Sequence, residues 1–233
     1  MAEYVFAPKS PVALPVIGSS KVFPVRRVYC IGRNYAAHTR EMGGNPEREP
    51  PFFFMKPGDG VQVAMPGRMT IHAYPPGTSD YHHELELVAV LRKGGRDIGE
   101  ADALNHVYGY AIGLDMTRRD LQGEAKKLQR PWEIGKSGDN SAVIGAVTTR
   151  AKAGNVLDAA LALHVNGESR QRATTADMIW SLPEQIAVLS RFFTLAAGDV
   201  IMTGTPDGVA SVKRGDVMEG SIGGLQPLRI KVA

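Results

Sequence analysis

The sequence has almost no cysteine and no long apolar run. Cys30 is the single cysteine among 233 residues, so the chain cannot form an internal disulfide, which is typical of a reducing compartment. Cys30 lies in the apolar run 28–31, which predicts a buried thiol. No stretch approaches the roughly 20 apolar residues that span a bilayer, and residues 1–20 lack the apolar segment of a secretory signal. We therefore expect a soluble cytoplasmic protein with no membrane partner.

The chain also lacks a large excess of either positive or negative charge. The chain has 27 Lys and Arg residues against 24 Asp and Glu residues, a net charge of +3. The densest basic cluster lies on a predicted helix, where Asp120 and Glu124 interrupt it. Its members are Arg118, Arg119, Lys126, Lys127 and Arg130. Mixed signs on one helix indicate a solvated face, so we expect no nucleic-acid partner.

Glycine and proline are plentiful, with 26 and 15 residues, and this composition favours many turns and short strands. We expect an α+β protein, mostly β, in which residues 25–233 form one domain. Residues 1–24 are expected to form an extended arm that packs on this domain through apolar side chains. These side chains are Val5, Phe6, Val12, Leu14 and Ile17. Helices are predicted over 36–42, 115–129 and 181–195, and Asn166-Gly167 predicts a hairpin turn.

Three acidic residues in two short segments form the strongest chemical signal. Glu84 and Glu86 alternate with Leu85 and Leu87, so in a strand they project to one face, about 7 Å apart at the backbone. Two carboxylates held side by side repel each other unless a cation or a proton lies between them. Asp115, at the end of another predicted strand, would complete an all-oxygen site for a hard ion such as Mg²⁺, Mn²⁺ or Ca²⁺.

Plainer interpretations of these acids stay open on the residues alone. Glu84 and Glu86 could lie on a solvated sheet face, although Val88 and Val90 continue that face and argue against free solvation. Asp115 could serve only as the N-cap of the helix predicted after it. A non-enzymatic binding protein with structural carboxylates would also carry this pattern.

His38 and Glu41 form a second candidate pair, three residues apart in a short predicted helix, so that their side chains share a face. A carboxylate beside an imidazole raises its basicity and orients the ring, and such a pair can take a proton from water. An ion pair on the helix surface is the alternative. Gly32 and Gly43-Gly44 flank the helix and favour a mobile lid.

Further polar residues could contact an anionic substrate. Lys136 lies in a glycine-flanked loop and could hold an oxyanion. Arg119 and Gln122 are one turn apart on the helix predicted after Asp115. Thr205 follows a predicted strand, where free amides and a hydroxyl could bind a carboxylate. Each of these residues also fits an ordinary surface position or turn.

Six short segments carry a set of motifs. They read YCIGRNYAAH from Tyr29, FFMKP from Phe53, HHELE from His82, LDMTRRD from Leu114, GKS from Gly135 and TGTP from Thr203. Together and in this order they resemble the fumarylacetoacetate hydrolase superfamily over about residues 25–232, most of all its single-domain acylpyruvate and fumarylpyruvate hydrolases.

The resemblance implies a mixed β-sandwich roll, of the type formed by the C-terminal domain of fumarylacetoacetate hydrolase, and a homodimer. It implies that residues 25–233 are a catalytic domain with Mg²⁺ or Mn²⁺, and less readily Ca²⁺, bound by Glu84, Glu86 and Asp115. It also implies that His38 and Glu41 activate water. No organic cofactor is implied.

The same resemblance assigns the substrate contacts. Lys136 and Gln122 are expected to touch the substrate, and Arg33, Arg119 and Thr205 are expected to bind its carboxylates. The expected activity is hydrolysis of the carbon–carbon bond of a 3-acylpyruvate, most of all fumarylpyruvate in aromatic-acid catabolism through gentisate. Decarboxylation of oxaloacetate and isomerisation or hydration of a dienoate diacid would use the same site. The run 138–145 departs from the family pattern, and the resemblance puts it beside the substrate.

Overall fold

Short strands separated by turns make up most of the regular structure, as the glycine and proline content predicts. The computed structural model describes residues 3–43 and 49–233. Among these residues 35% are in strands and 20% in helices, so the expected mostly β fold is confirmed. The strands are β1 Ala13–Pro15, β2 Val22–Pro24, β3 Val28–Ile31, β4 Phe53–Lys56, β5 Val61–Val63, β6 Met69–His72, β7 Tyr81–His82, β8 Leu85–Leu91, β9 Val107–Asp115, β10 Thr117–Arg118, β11 Ala142–Ile144, β12 Thr148–Thr149, β13 Ala160–Val165, β14 Glu168–Thr174, β15 Val200–Met202, β16 Val217–Ile222 and β17 Leu228–Val232. The α-helices are α1 Ala36–Glu41, α2 Glu100–Ala103, α3 Arg119–Lys127, α4 Glu133–Lys136 and α5 Leu182–Phe192. Short 3₁₀ turns lie at Gly58–Gly60, Leu104–His106, Val156–Asp158 and Thr175–Asp177.

Two mixed sheets form the body of the fold. The larger sheet has the order β4-β3-β15-β8-β9-β11-β5, with β12 paired to β9, and the smaller sheet has the order β14-β13-β16-β17-β6. The pairs β3–β15, β5–β11 and β6–β17 are parallel. The hairpin predicted at Asn166-Gly167 joins β13 to β14. Long crossovers therefore bring distant parts of the chain into each sheet.

Strand β8 separates two apolar cores. Its residues Leu85 and Leu87 pack in a core with buried side chains from β13, β16 and β17. Val88 and Val90, on the other face, belong to a second core that includes Leu14 from the N-terminal segment. Each fully buried leucine contributes about 1.5–3 kcal/mol. Because both faces of β8 are covered, a freely solvated face is excluded.

The single cysteine is buried, as its position in the apolar run 28–31 predicts. Cys30, in β3, is fully buried in the second core. Burial, reinforced by the negative charge of Asp115, raises the pKa of the Cys30 thiol well above its ordinary value. The thiol is therefore inert core packing at neutral pH.

The N-terminal segment differs in part from the prediction. Strands β1 and β2 pair antiparallel, so residues 13–24 form a hairpin and not an extended arm. Leu14 is fully buried, but Val5 and Phe6 are 100% and 80% exposed. The expectation that Val5 and Phe6 pack on the body is wrong for this chain, because residues 3–12 form no strand or helix that would hold them there.

The helix predicted over 115–129 begins later than expected. Asp115 is the last residue of β9, and α3 starts only at Arg119. The amide of Asp115 donates to the carbonyl of Glu84 at 2.9 Å, which continues the ladder between β8 and β9. Asp115 is therefore a strand residue, and its interpretation as a helix N-cap is wrong.

The other two predicted helices are present as α1 and α5. Helix α5 carries the capping box expected from Ser181 and Glu184. The stop signal predicted after α1 runs into Gly44, Asn45 and Pro46, which lie outside the described residues, so the proposed lid stays a prediction. Among residues 3–43 and 49–233, no helix has the length and apolar character needed to traverse a bilayer.

Candidate active site

Four strand ends of the larger sheet meet at one place. Antiparallel pairing of β8 with β9 sets Leu85 opposite Leu114 and Glu86 opposite Gly113. The parallel strands β3 and β15 both end beside the start of β8. The loops that follow β3 and β15 are therefore delivered to the same end of the sheet as the carboxylates of β8 and β9.

The three predicted carboxylates form one buried cluster. Glu84, Glu86 and Asp115 are 4%, 1% and 1% exposed, and one oxygen from each lies within 4.8 Å of the other two. Such a set of hard oxygen ligands suits Mg²⁺ or Mn²⁺. The three carboxylates thus lie together in the structure, as their positions in the sequence predict.

Two cationic side chains reach into this cluster. Lys136 Nζ donates to Glu84 Oε2 at 2.7 Å, to Asp115 Oδ2 at 2.9 Å and to Thr117 Oγ1 at 2.8 Å. The Arg119 guanidinium donates to Glu84 Oε1. Burial by itself would raise the pKa of Glu84, but Lys136 and Arg119 outweigh it and hold this pKa well below its usual value. Lys136 is therefore a buried partner of the carboxylates and not a surface lysine.

A third cation, Lys56 at the end of β4, was not predicted. It is 1% exposed, and its Nζ lies 2.8 Å from Asp115 Oδ1. It also donates to the carbonyls of Met116 and Lys136. Lys56 is the lysine of the motif FFMKP, but the sequence around it assigns this lysine no chemical role. Asp115 is consequently held between two ammonium groups.

Glu86 is the carboxylate with the least compensation. No Lys or Arg of the described ranges lies within ion-pair distance of it, and its one partner is the Gly204 amide, 2.9 Å from Oε2. Burial, then the charges of Asp115 and Glu84, raise the pKa of Glu86 well above its usual value. A divalent cation would relieve this crowding, so the residues present fit the metal that the motifs imply.

His38 and Glu41 form the predicted pair. His38 Nδ1 lies 3.1 Å from Glu41 Oε2, and Glu41 Oε1 accepts a hydrogen bond from the Gly208 amide at 3.0 Å. Gly208 has φ +85, and a Cβ there would collide with a backbone carbonyl, so the loop can approach Glu41 only with glycine. His38 is 6% exposed, whereas the side chain of Glu41 is 34% exposed, so the imidazole of this pair is buried and its carboxylate lies at the surface.

A cleft with an empty volume of about 410 Å³, including its part open to solvent, brings these groups together. The predicted site residues that line it are Arg33, His38, Glu84, Glu86, Arg119, Gln122, Lys136 and Thr205. Unpredicted lining residues are Ile31, Gly32, Met42, Phe54, Lys126 and Trp132. Asp115 and Glu41 are not among the lining residues but bind two of them, Lys136 and His38.

Two expectations about the surroundings of the cleft are wrong. Arg119 and Lys126 line the cleft, whereas Lys127 and Arg130 are exposed, so the basic helix is only partly a solvated face. The run 138–145 contributes no lining residue, because its residues 142–144 form β11 inside the larger sheet. Residues 142–144 therefore serve sheet packing, whereas Gly138 and Asp139 line a separate, smaller cavity.

Thr205 and Gln122 are tied to their neighbours. The Thr205 hydroxyl donates to the Leu85 carbonyl at 2.9 Å and accepts from Gln171 Nε2 at 2.8 Å, so its proton is already engaged. Gln122, 4% exposed, accepts from Arg119 at 2.6 Å. These bonds hold both residues in place along the cleft.

Gln171 is a second residue that sequence reasoning missed. It is fully buried and also binds the Pro206 carbonyl at 2.9 Å, the Leu85 amide at 3.0 Å and His83 Nδ1 at 3.2 Å. Burial lowers the pKa of His83 to about 4, so this imidazole is neutral. Gln171 therefore connects the loop after β15 to the strand that carries Glu86.

Comparisons with known proteins identify the class. The family model described as Fumarylacetoacetate (FAA) hydrolase C-terminal matches residues 27–233, and the chain belongs to this family. The crystal structure of a fumarylpyruvate hydrolase from Pseudomonas aeruginosa in complex with Mn²⁺ and pyruvate is 53% identical, covers 99% of both chains and superposes with a TM-score of 0.97. The expected fold of the C-terminal domain of fumarylacetoacetate hydrolase is confirmed.

Curated relatives have a different name. An oxaloacetate tautomerase from Escherichia coli K12 is 42% identical over 195 residues, which are 83% of this chain and 87% of that protein. The mitochondrial oxaloacetate tautomerase of Homo sapiens is 42% identical over 212 residues, which are 89% of this chain and 91% of that protein. Relatives of this chain are thus named as a fumarylpyruvate hydrolase at 53% identity and as oxaloacetate tautomerases at 42% identity.

Proposed function

We propose that this chain hydrolyses the carbon–carbon bond of a 3-acylpyruvate, converting fumarylpyruvate and water to fumarate and pyruvate. The observation that carries the proposal is that one cleft is lined both by Glu84 and Glu86 of the carboxylate cluster and by His38, the imidazole of the His38–Glu41 pair. The similarity to a fumarylpyruvate hydrolase at 53% identity supports it. Glu84, Glu86 and Asp115 would hold Mg²⁺ or Mn²⁺.

A divalent ion held there would supply Lewis-acid stabilisation of the negative charge that develops on the pyruvate fragment. Lys136 contributes to the same task, because its ammonium lies among the carboxylates in a buried, low-dielectric site. The charges of Lys56, Lys136 and Arg119 formally balance the three carboxylates. The two positive charges of the ion would then be left for the carboxylate and the developing enolate of the substrate.

His38 acts as the general base. Glu41 binds its Nδ1, which orients the ring so that Nε2 can take a proton from water. The hydroxide oxygen adds to the distal carbonyl carbon, and the tetrahedral adduct then breaks the bond to the pyruvate methylene. The electron pair of that bond passes to the pyruvate fragment as its enolate, which takes up a proton to give pyruvate.

Turnover of fumarylpyruvate by Glu86→Ala, His38→Ala and Glu41→Gln tests the assignment. Loss of a general base typically costs 10²- to 10⁴-fold in rate, so we expect losses of about that size in the His38 and Glu41 variants and no metal-dependent turnover in Glu86→Ala. Lys127→Met, an exposed position on α3, is the matched control. Undiminished activity in Glu86→Ala and His38→Ala would end the proposal.

A metal titration separates this proposal from a non-enzymatic binding protein. After exhaustive dialysis against a chelator, addition of Mn²⁺ should raise the melting temperature of the wild type and not that of Glu86→Ala, since a ligand that binds only the folded state stabilises it. Identical melting with and without Mn²⁺ would favour the structural interpretation of the carboxylates.

Tautomerisation of oxaloacetate is the second candidate, favoured by the names of the relatives at 42% identity. It requires removal of a proton from carbon and its return at oxygen, with no attack by water. A side-by-side assay of fumarylpyruvate, enol-oxaloacetate and oxaloacetate decarboxylation at one Mn²⁺ concentration would separate the reactions. Fast tautomerisation without hydrolysis would replace the first proposal by the second.

We also propose that the chain acts in the cytoplasm as a homodimer. Exposed apolar side chains near the N-terminus support an interface, because Tyr4, Val5 and Phe6 are 68%, 100% and 80% exposed. Light scattering should give twice the mass of one chain, and Val5→Asp with Phe6→Ser should lower it. A monomer at all concentrations would contradict this proposal.

A further inference from the structure

Two basic side chains at the cleft, Arg33 and Lys126, take no part in the carboxylate cluster or in the water activation described above. Arg33 and Lys126 line the cleft and are half-buried. In the described ranges 3–43 and 49–233, no carboxylate lies within ion-pair distance of either of them. By contrast, Lys56, Lys136 and Arg119 all bind carboxylates. Two uncompensated cations therefore face the same space as the substrate.

Helix α3 sets the position of Lys126 relative to the carboxylate cluster. Arg119, Gln122 and Lys126 are residues i, i+3 and i+7 of this helix, so they lie along one face, and all three line the cleft. Arg119 contacts Glu84 at the buried end. Lys126 lies seven residues further, about 10 Å along the helix axis at 1.5 Å per residue. This face leads from the carboxylates to the half-buried rim.

The charges at the rim repel one another. Burial, followed by the positive charges of Arg33 and Arg119, lowers the pKa of Lys126 below its usual value. Arg33 has a neighbouring aromatic ring, with its guanidinium carbon 5.8 Å from the centre of Phe52, but no anion. A carboxylate bound between the two side chains would remove the repulsion and accept charge-assisted hydrogen bonds.

We propose that Lys126 and Arg33 form a subsite for a second carboxylate, at the far end of the acyl group. This rests on the proposed function and narrows it to acylpyruvates whose acyl chain ends in a carboxylate. The keto-acid end of such a substrate lies at the buried carboxylate cluster, and the acyl chain runs along α3 toward the rim. In fumarylpyruvate the second carboxylate is five carbons beyond the 2-keto carbon, whereas in oxaloacetate it is only two carbons beyond. Arg33 and Lys126 therefore favour binding of fumarylpyruvate, the longer diacid, over binding of oxaloacetate.

Kinetics on two substrates test the subsite. Acetylpyruvate has the same 1,3-diketo acid but no second carboxylate. In Lys126→Met, which keeps a long apolar stem, the ratio of kcat/KM for fumarylpyruvate to that for acetylpyruvate should fall by roughly 10- to 100-fold, the loss typical of a charge-assisted hydrogen bond. Lys126→Arg should restore most of the ratio. Lys127→Met, one residue away and exposed, should leave it unchanged. A ratio unchanged in Lys126→Met would overturn the proposal.

A binding measurement separates this inference from the proposed function. Fumarate and crotonate share a four-carbon trans-alkene, but crotonate has a methyl group in place of one carboxylate. Calorimetry on the Mn²⁺-loaded wild type should show fumarate bound at least tenfold more tightly, and Lys126→Met should lose this preference. If the wild type shows the preference yet does not hydrolyse fumarylpyruvate, the subsite stands and the proposed function fails. If it hydrolyses fumarylpyruvate but shows no preference, the subsite is wrong.

Discussion

Replacement of Lys56 by methionine would test whether the carboxylate cluster depends on its buried cations. Lys56 is 1% exposed, and its ammonium lies 2.8 Å from Asp115 Oδ1 and donates to the carbonyls of Met116 and Lys136. Methionine keeps a long unbranched stem but removes the charge and the donors. Among the residues that the structure describes, Asp115 would then keep Lys136 alone as a cationic partner, through its other oxygen.

The expected loss is large because both partners are buried. Removal of one member of a buried ion pair costs about 3–5 kcal/mol, and for a chain of this size each kcal/mol shifts the melting temperature by roughly 2–4 °C. Metal-free Lys56→Met should therefore melt about 6–20 °C below the wild type. Mn²⁺ should stabilise the variant more than the wild type, since the ion supplies Asp115 with the positive charge that the ammonium no longer provides.

Thermal melts and urea unfolding in a chelator and in excess Mn²⁺ measure both effects. The exposed position Lys127→Met should change the free energy of unfolding by no more than about 0.5 kcal/mol in either condition. A metal-free loss below about 1 kcal/mol for Lys56→Met would refute the reasoning. So would an equal loss with and without Mn²⁺, because it would show that Lys56 does not compensate the charge of Asp115.

Two further predictions concern residues outside the carboxylate cluster. Gln171→Leu leaves the groups that bind this amide, the Thr205 hydroxyl and the Leu85 amide among them, without their partner. It should lower the free energy of unfolding by about 2–4 kcal/mol together with kcat/KM, and urea unfolding that matches the wild type would contradict this. His72 is buried against Tyr81, and burial lowers its pKa from 6.5 to about 4, so the unfolded chain binds more protons between these values. The contribution of His72 to the free energy of unfolding should be fully present above about pH 6.5. Toward pH 4 the free energy of unfolding should fall by at most about 1.4 kcal/mol per pH unit. His72→Asn should flatten that part of a urea-midpoint profile, and an unchanged slope would count against it.

Much of the candidate site was predictable because its geometry is local. Alternation along one strand is enough to set Glu84 and Glu86 on the same face. Three-residue spacing in a helix is enough to bring His38 and Glu41 together. Asp115 meets Glu84 because β8 and β9 pair as neighbours, and sequential strands are frequently adjacent in a sheet.

The missed residues act over long separations. Lys56 binds atoms of residues 60 and 80 positions away, and Gln171 binds Leu85 from 86 positions away. No periodicity in the sequence encodes such pairs, since they depend on which strands lie side by side. Lys126 was assigned to a solvated face because helical spacing shows which residues share a face and does not show what that face packs against.

The amino-acid sequence by itself determined the donor types of this site, their order along the chain and the faces on which they lie, since these follow from local backbone geometry. Only the tertiary structure decided which cations neutralise which carboxylates, because burial and distance set the strength of each charge interaction. The sheet order β3-β15-β8-β9 brings the Gly204 amide within hydrogen-bond distance of Glu86, and α4 places the ammonium of Lys136 against Glu84. That convergence turns three like charges on two strands into a site suited to a divalent ion and a diketo acid.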